Sequence, residues 1–358
     1  AVPPPSRDRV RKNSKKFSMS RILITTGIYP PKIGGPAQYA KSLKEAFSKS
    51  GYSISVKTFN LENYLPTGIR HIFFFLKIIP RILASDFTLA LDTFSVGLPS
   101  VLAGKVFSKK IIIRTGGDFL WEGYVERTGK KVLFRNFYAQ EKDNLNRKEK
   151  LIFKLTRWTL QNASKVVFST EWQRSIFVPA YGLDSRNTAI IENYYGQKEE
   201  NIELGFKAKT FVASTRDLKW KNIDTLKHVF NKKGTKIPED VDLFTYESEF
   251  DDFIKTIKRS YAVVLVSLGD ISPNMILDAI RLNKPFICTK ETGIFEKIKD
   301  FGIFVDPLDE GDIEQGIIKL LDKNEYDKWV QKVRSFNFIH TWEEMAKEYI
   351  ELYKSIVR

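Results

Sequence analysis

The chain of 358 residues has one cysteine, Cys288, and three histidines. A single cysteine excludes an intramolecular disulfide framework and is typical of a protein of the reducing cytosol. One cysteine and three histidines also provide few ligands for a His/Cys zinc site. No apolar run approaches the roughly 18–20 residues that cross a bilayer, because Lys77 ends the densest one, Ile72 to Leu76. The start of the chain has no apolar signal-peptide core, so we expect no secretion.

Hydrophobic residues make up 42% of the chain and charged residues 28%, which is the composition of a globular protein. The net charge of +15 is unevenly distributed. Residues 1–185 contain 31 basic and 13 acidic residues, a net +18, whereas residues 186–358 carry a net −3. This asymmetry predicts two domains with different partners, and an anionic partner for the first. The alternative is that the basic half only keeps the protein soluble.

Residues 1–18 combine three prolines with a cluster of basic residues, which predicts a disordered tail, with folding from Met19 onward. From there, short apolar strands alternate with amphipathic helices, and only 115–148 reads as irregular. Uninterrupted apolar strands predict parallel sheets covered by helices. Two such series predict two Rossmann-like domains, at 19–185 and 186–337, and a closing helical segment at 338–358.

In open parallel sheets the ligand lies beyond the carboxyl ends of the strands, so the loops after strands are the candidate sites. After the first strand, Gly34 and Gly35 allow a close approach of the backbone, and Pro36 suits the first helical position. A helix N-terminus behind two glycines is a natural phosphate site. The alternative is an ordinary turn, because the loop is neither GxGxxG nor a P-loop.

Two further loops carry charged residues at the ends of strands in the second half. Arg216 and Lys221, five residues apart after strand 209–214, have the spacing to clamp a diphosphate. The alternative for them is a solvated basic turn.

After strand 262–268, Ser272 is a good N-cap and Pro273 a good first residue for a helix at 273–282, whose N-terminus would favour an anion. Asp270 and Asp278 flank this helix start, and carboxylates accept hydrogen bonds from vicinal sugar hydroxyls. The alternative is an aspartate favoured by the helix dipole together with a surface aspartate.

In order and spacing these segments resemble the retaining glycosyltransferases of family 4, which have the GT-B fold. The resemblance runs from about residue 21 to 356. Four segments carry it: PPKIGGPAQYAKSLKEAFSKSGYSISVKTF, SKVVFSTEWQRSIFVPAYGLDSRNTAIIEN, GDISPNMILDAIRLNKPFICT and HTWEEMAKEYIELY.

The resemblance implies an α/β protein of two Rossmann-like domains facing across a cleft. The domain at 19–185 would bind the acceptor, the one at 186–337 the nucleotide-sugar donor, and the helix in 338–358 would cross back to the first. Arg216 and Lys221 match the family's Arg-x4-Lys element, which binds the donor diphosphate.

Asp270 and Asp278 match the family's Glu-x7-Glu element, in which the first carboxylate holds the donor hexose and the second the ribose. The backbone of Ser272, Pro273 and Asn274 would line the sugar and phosphate.

This sequence departs from the family pattern in two ways. Both acidic positions are aspartate, one methylene shorter than the usual glutamate. The family often has a histidine after the strand at 110–114, where this chain reads RTGGDFLWE. Asp118 or Thr115 would then make the donor-sugar contact, and Asp118 reads equally well as a helix cap.

The resemblance implies transfer of a hexosyl unit from a UDP- or GDP-sugar to a glycan or lipid-linked acceptor, with retention of configuration. No bound metal and no other cofactor is expected, since the nucleotide-sugar is a substrate. We expect a cytoplasmic location, with peripheral attachment to the cytoplasmic face of the membrane as a further expectation.

The membrane expectation rests on the apolar and basic segment 68–83 and on basic residues at 127–150, among them Lys130, Lys131 and Arg135. The alternative is that the helix in 68–83 only covers the sheet.

Two other functions remain open at this stage. The basic half and the aromatic residues at 119–138 would suit a nucleic-acid-binding protein, although no recognition helix or RNP-like motif is visible and we expect no nucleic-acid partner. A glycosyltransferase-like subunit without activity is the third interpretation.

Overall fold

The structure is a computed structural model that describes residues 21–32, 34–199, 209–213, 218–246 and 250–357. The predicted tail at 1–18 and Met19 lie outside the described residues.

The first domain is a six-stranded parallel sheet in the order β2-β1-β3-β4-β5-β6, with helices on both faces. In chain order its elements are β1 (Arg21–Thr26), α1 (Gly35–Lys49), β2 (Ser53–Thr58), α2 (Thr67–Ala84), β3 (Phe87–Ala90), α3 (Gly97–Val106), β4 (Lys110–Arg114), α4 (Phe119–Thr128), α5 (Phe137–Gln140), α6 (Arg147–Asn162), β5 (Lys165–Phe168), α7 (Glu171–Tyr181) and β6 (Thr188–Ile190).

The second domain is a five-stranded parallel sheet in the order β11-β10-β9-β7-β8. Its elements are β7 (Lys209–Val212), α8 (Ile223–Asn231), β8 (Val241–Phe244), α9 (Phe250–Arg259), β9 (Ala262–Leu265), α10 (Asn274–Arg281), β10 (Phe286–Thr289), α11 (Phe295–Ile298), β11 (Ile303–Val305), α12 (Glu310–Leu321), α13 (Lys323–Ser335) and α14 (Trp342–Val357). The two parallel sheets confirm the predicted fold class.

β6 lies within 186–337, the segment predicted to form the second domain, where its sequence predicts a strand at 187–191, but it belongs to the first sheet. β6 pairs in parallel with β5, so that Val167 lies beside Ala189. The Ile191 N–H also donates to the Phe168 carbonyl oxygen at 3.0 Å. The chain leaves β5, crosses through α7 and returns to the open edge of the same sheet. The first domain therefore extends through β6, past the boundary expected at 185.

The segment 115–148 is not irregular. Asp118 caps α4, and Gly129 ends it in the left-handed conformation with a φ of 69°. Both residues are ordinary helix-boundary signals, and the helix-cap interpretation of Asp118 is the one that the structure bears out.

The alternation of side chains along the first sheet builds two apolar layers. In β1, Ile22 and Ile24 face α1 and α14, whereas Leu23 faces the layer that contains α2, α3 and α6. Within that second layer α2 packs against α3, and α3 packs against α6. Among the described residues, no helix combines the length and apolar character that a membrane span requires.

The closing helix α14 packs against α1 of the first domain. The hydroxyl groups of Tyr39 and Tyr349 lie 3.0 Å apart in the core, and the rings of Phe87 and Tyr353 stack with centroids 4.5 Å apart. The last helix of the chain is therefore part of the core of its first domain and ties the two domains together.

We expect Tyr349→Ala to lower the free energy of unfolding by about 3–5 kcal/mol, because it removes a fully buried aromatic ring and leaves a cavity. Urea unfolding measures the change. Glu351→Ala, at an exposed position of the same helix, is the matched control and should leave stability close to wild type. Equal stabilities of the two variants would mean that α14 adds little to the first domain.

Candidate active site

The N-termini of two helices, one from each domain, meet across the cleft. Gly34 precedes α1 with a φ of 141°, and its carbonyl oxygen accepts the first hydrogen bonds of that helix, from Ala37 and Gln38. A Cβ atom placed on Gly35 would lie 3.3 Å from Nδ2 of Asn274, the first residue of α10. Each helix N-terminus carries a partial positive charge and unpaired N–H groups, so their convergence favours an anion between them.

An ion pair lies in the loops beside α10. Lys221 follows β7 in a short 3-10 turn, and its Nζ lies 2.6 Å from Oδ2 of Asp270, which follows β9. The two side chains are 11% and 13% exposed. Lys221, which we expected to bind the diphosphate, and Asp270, which we expected to bind the hexose, are thus in direct contact. Among the described residues no hydrogen bond occupies Oδ1 of Asp270.

Two hydroxyl groups close to Asp270 are buried without a hydrogen-bond partner among the described residues: Ser272 Oγ and Thr292 Oγ1. Thr292 belongs to the loop after β10, which bridges to Asp270. Sequence reasoning missed Thr292, because no spacing rule links it to the loop after β9. Buried polar atoms normally have partners, so these two hydroxyls are suited to bind a ligand.

Ser272 does not cap α10 as predicted. Pro273 occupies the N-cap position with extended backbone, no side chain caps the helix, and the helix begins at Asn274. The predicted start was therefore one residue too early, and the Ser272 hydroxyl is left unpaired. The Ile276 and Leu277 N–H groups donate to the Pro273 carbonyl oxygen instead.

Asp278 lies four residues after Asn274 and hence on the same face of α10. An Arg281 guanidinium nitrogen lies 3.4 Å from its carboxylate, and Arg281 also pairs with Glu199. Burial raises the pKa of Asp278 to about 6, with nearby Arg281 opposing the rise and Glu199 adding to it. Maintaining this charge at neutral pH is therefore costly in the unliganded protein.

A cluster of aromatic residues holds the two domains together beside the ion pair. The ring of Trp121 in α4 lies 5.1 Å from Phe134 and 5.6 Å from Trp220, which directly precedes Lys221. The Phe134 N–H donates to the Leu268 carbonyl oxygen at 3.1 Å. A Cβ on Gly269 would lie 2.5 Å from Cβ of Phe134, so only glycine permits this approach.

This packing contradicts the reading of 119–138 as a stacking platform for nucleic acid. Trp121, Tyr124, Phe134 and Phe137 are buried, and only Phe119 of the residues in that stretch exposes a large part of its ring. A ring that is packed inside the protein cannot stack on a base.

The cations of 127–150 that we expected to face a membrane are largely committed within the protein. Arg135 Nε lies 2.6 Å from Glu291 Oε2 in the second domain, and Lys131 donates to the Thr225 hydroxyl there. Lys130 pairs with Glu141 of its own domain. Lys131 and Arg135 therefore serve the contact between the domains, a use that sequence alone does not reveal.

Asp118 has the helix-capping role that the sequence left open. Its Oδ1 accepts from the Leu120 and Trp121 N–H groups, and its Oδ2 accepts from the Tyr138 hydroxyl. Burial raises its pKa. Since both carboxylate oxygens of Asp118 already have partners, we assign Asp118 a structural role in place of the expected contact with the donor sugar.

Thr115, the alternative to Asp118, is also occupied, because its hydroxyl bonds to the Val167 carbonyl oxygen and to Gln173.

Arg216 lies outside the described residues, as do residues 247–249 of the loop expected to influence base selectivity. In the part of the chain that the structure describes, no three His, Cys, Asp or Glu side chains are grouped to hold a metal ion.

No protein-family model matches the chain, and no curated protein sequence matches it. Solved structures do resemble it. The sucrose-phosphate synthase of Thermosynechococcus elongatus is 12% identical with a TM-score of 0.67, over 94% of this chain and 99% of that one. The glycosyltransferase WaaG, involved in lipopolysaccharide biosynthesis, is 10% identical with a TM-score of 0.67, over 93% and 99%.

HepE of Anabaena, in complex with UDP-glucose, is 12% identical with a TM-score of 0.60, over 94% of this chain and 98% of that one. These likenesses cover both domains and establish that the chain has the GT-B fold. A shared fold at such low identity does not establish a shared reaction, which has to be argued from the site.

We expect Asp278→Asn to raise the free energy of unfolding at pH 7–8 by about 1–3 kcal/mol, because the amide avoids the cost of a buried charge. The sign follows from a folded-state pKa of about 6, above the ordinary value of 3.8 for an aspartate. Wild type loses stability as the pH rises from about 4 to 6, so the advantage of the variant grows over that interval and is full above it.

Denaturant unfolding across this pH range measures the effect. Asp242→Asn, which removes an exposed carboxylate from β8 in the same domain, is the control and should show no comparable gain. An Asp278→Asn protein less stable than wild type at pH 8 would mean that the Arg281 contact outweighs the cost of burial.

Proposed function

We propose that this protein is a retaining glycosyltransferase that moves a hexosyl unit from a UDP- or GDP-sugar to a glycan or lipid-linked acceptor. One observation carries the proposal: the N-termini of α1 and α10 converge beside the Lys221–Asp270 pair. Positive helix ends and an ammonium group suit a diphosphate, and a carboxylate among unpaired hydroxyls suits a sugar.

The comparisons support a nucleotide-sugar donor and a glycan acceptor as substrate classes, but they do not identify the donor or acceptor of this chain. HepE is described in complex with UDP-glucose, and also with UDP and glucose. WaaG takes part in lipopolysaccharide biosynthesis, and a further structure of the same fold is the lipopolysaccharide outer core galactosyltransferase WaaB. A nucleotide-sugar donor and a lipid-linked glycan acceptor are therefore the classes to test first.

The donor would lie with its diphosphate between the two helix ends. Lys221 and Arg216 would balance the phosphate charge. Asp270 holds Lys221 through Oδ2 and would accept a hexose hydroxyl through Oδ1. The unpaired hydroxyls of Ser272 and Thr292 would complete the contacts around the sugar.

Asp278 would accept hydrogen bonds from the ribose hydroxyls. Its position on the same face of α10 as Asn274, beyond the phosphate site, supports this role. A carboxylate that is costly to bury in the free protein gains partners when a sugar binds.

The reaction breaks the bond between the anomeric carbon and the diphosphate oxygen, and negative charge collects on the departing diphosphate. Lys221 and the α10 N-terminus are already oriented toward that charge, so little reorganisation is needed as it develops. Retention of configuration requires the acceptor oxygen to approach on the face that the diphosphate leaves. The departing phosphate oxygen is then the nearest base for the acceptor proton.

The acceptor would enter from the first domain, past Gly34 and Gly35, where the absence of side chains leaves room near the anomeric carbon. The two domains enclose this position and would exclude water from it. We propose that the enzyme needs no metal or other cofactor, since lysine, arginine and helix ends supply the positive charge. We also propose a cytoplasmic location.

A donor-turnover assay tests the proposal against an inactive subunit and against a nucleic-acid-binding protein. Thermal shift with UDP-, GDP- and ADP-sugars should identify the donor first, because a tight ligand stabilises the folded state by mass action. Release of nucleotide from the stabilising donor would identify an enzyme. A stabilising donor without turnover, with any acceptor supplied, would indicate the inactive subunit.

We expect Lys221→Ala to lower turnover about 10²–10³-fold, since it removes a preorganised cation from the developing charge. Arg216→Ala should have an effect of the same order. Steady-state kinetics with the identified donor measures both. Lys221→Arg keeps the charge and should retain more activity than the alanine variant.

Lys219→Ala is the matched control, because Lys219 belongs to the same turn but bonds to the Glu126 carbonyl oxygen instead of Asp270. Thermal melting checks that each variant folds. Wild-type turnover in folded Lys221→Ala and Arg216→Ala would mean that neither cation contacts the donor diphosphate and that the Lys221–Asp270 pair is only structural.

We expect donor turnover to persist in excess EDTA, because the proposed diphosphate site relies on Lys221, Arg216 and helix ends. The measurement is the initial rate with and without chelator, at equal ionic strength. Loss of turnover in EDTA that Mg²⁺ or Mn²⁺ restores would contradict the proposed metal independence.

A further inference from the structure

The outer face of α2 exposes a stripe of large apolar side chains. Its members lie three, four or seven residues apart and hence on one side of the helix, and they are 41–64% exposed: Ile69, Ile72, Phe73, Leu76 and Leu83. The opposite side, with Phe74, Ile78 and Ile82, is fully buried on the sheet. Covering the sheet therefore accounts for only one side of α2.

The two helices that follow α2 in the same layer also expose apolar side chains. Because α2 packs on α3 and α3 on α6, the three form one layer, which we call the outer layer. Large apolar side chains are also exposed on its other two helices: Leu102, Val106, Leu151 and Trp158. Large apolar side chains exposed on three adjacent helices indicate a binding surface.

The charge of the outer layer has one sign. Its three helices contain a single acidic residue, Glu149, which is buried and pairs with Arg127. Their basic residues are Arg70, Lys77, Arg81, Lys105, Arg147, Lys148, Lys150, Lys154 and Arg157.

Two of these basic residues serve the fold. Lys77 pairs with Glu62, and Arg70 donates to backbone carbonyl oxygens of the turn Leu61–Tyr64 and its neighbour Leu65. The other basic residues are exposed, one on α2 and the rest on α3 and α6.

We propose that the outer layer docks on an anionic membrane surface, with the stripe of α2 entering the headgroup region. Apolar side chains that are flanked by basic residues, on a helix too polar to span the bilayer, are typical of interfacial helices. Charge complementarity favours an anionic membrane as the partner of the outer layer, since each basic side chain near anionic lipids adds to the affinity.

Other occupants fit the same surface less well. A second copy of the chain would bring two basic layers together, and like charges oppose that contact. Nucleic acid would satisfy the basic residues but would leave the exposed isoleucine and leucine side chains without partners, because these cannot stack on bases.

The outer layer reaches the edge of the cleft. β2, the edge strand, runs parallel to β1, so Thr58 lies beside Thr26 at the carboxyl edge of the sheet, where the proposed site opens. The turn Leu61–Tyr64 and the start of α2 follow directly, and Leu61 and Tyr64 are strongly exposed. A membrane-bound protein would thus present its cleft to a lipid-linked acceptor, a consequence that rests on the proposed function.

Co-flotation of the full chain with vesicles tests the docking. The vesicles contain phosphatidylcholine alone or with rising fractions of phosphatidylglycerol, at moderate salt. We expect binding that increases with phosphatidylglycerol. Ile72→Gln and Leu76→Gln should each weaken the partition about tenfold, a loss that corresponds to partial burial of one aliphatic side chain.

The reversals Lys105→Glu and Lys154→Glu should together weaken binding to anionic vesicles about tenfold or more. Lys227→Glu and Lys323→Glu, which change the net charge equally on the second domain, are the matched controls and should bind nearly as wild type. Leu308→Gln removes an exposed leucine of the second domain and is the control for the stripe variants. All substituted positions are exposed or nearly so, and thermal melting checks their folding.

Several outcomes would overturn the proposal. They are vesicle binding that does not depend on the phosphatidylglycerol fraction, stripe variants that bind as wild type, self-association that the stripe variants abolish, or stronger binding to oligonucleotides than to vesicles.

Vesicle binding is measured without donor or acceptor, so it can fail while donor turnover succeeds. Conversely, docking without turnover would retain the membrane surface and reject the proposed enzyme. Ile72→Gln should leave turnover of the soluble donor unchanged, since α2 does not contribute to the donor site.

Discussion

The candidate site depends on a close approach of two helix N-termini, one from each domain. α1 follows β1 and α10 follows β9, and Gly35 and Asn274 bring their first turns into contact. Two positive ends, with Lys221 nearby, repel one another in the absence of an anion. The protein sustains the contact through apolar packing elsewhere: α14 lies on the first domain, and Trp121, Phe134 and Trp220 join the domains beside the site. Packing thus holds two positive helix ends close together, and an anionic ligand between them would relieve the repulsion.

The same reasoning applies to the other polar groups of the site. Ser272 and Thr292 bury hydroxyls without partners, and Asp278 keeps a carboxylate where burial raises its pKa to about 6. Each of these features disfavours the folded, empty protein. A ligand with many hydroxyls and a diphosphate would satisfy all of them together. Groups that are costly in the free protein and complementary to one kind of ligand are a stronger indication of function than the fold, which many reactions share.

Local patterns predicted most of the elements, because alternation and helical periodicity act over a few residues. The parallel strands around β9 are an example, and α1 is another, although it begins at Gly35, one residue before the predicted Pro36. The errors arose where distant parts of the chain decide. The sequence of β6 predicts a short strand but not the sheet to which it belongs. Its pairing with β5, at the edge of the first sheet, decides that. In the same way, Gly269 and Phe134 carry no motif, yet their contact sets how the domains meet. The ion pair of Lys221 with Asp270 was not predicted, because the resemblance assigned these two side chains to different parts of the donor.

Net charge shows most clearly what a sequence leaves undetermined. The excess of basic residues in the first half is a single number, but the structure divides those residues among different uses. Arg135 and Lys131 contact the second domain, and Lys77 neutralises a buried glutamate. Because these basic side chains have partners within the protein, their charge is not available to an external partner. What remains is concentrated on α3, α6 and the end of α2, around apolar side chains that the core does not use. The position of the unused charge, rather than its total, is therefore the argument for an anionic surface as the partner.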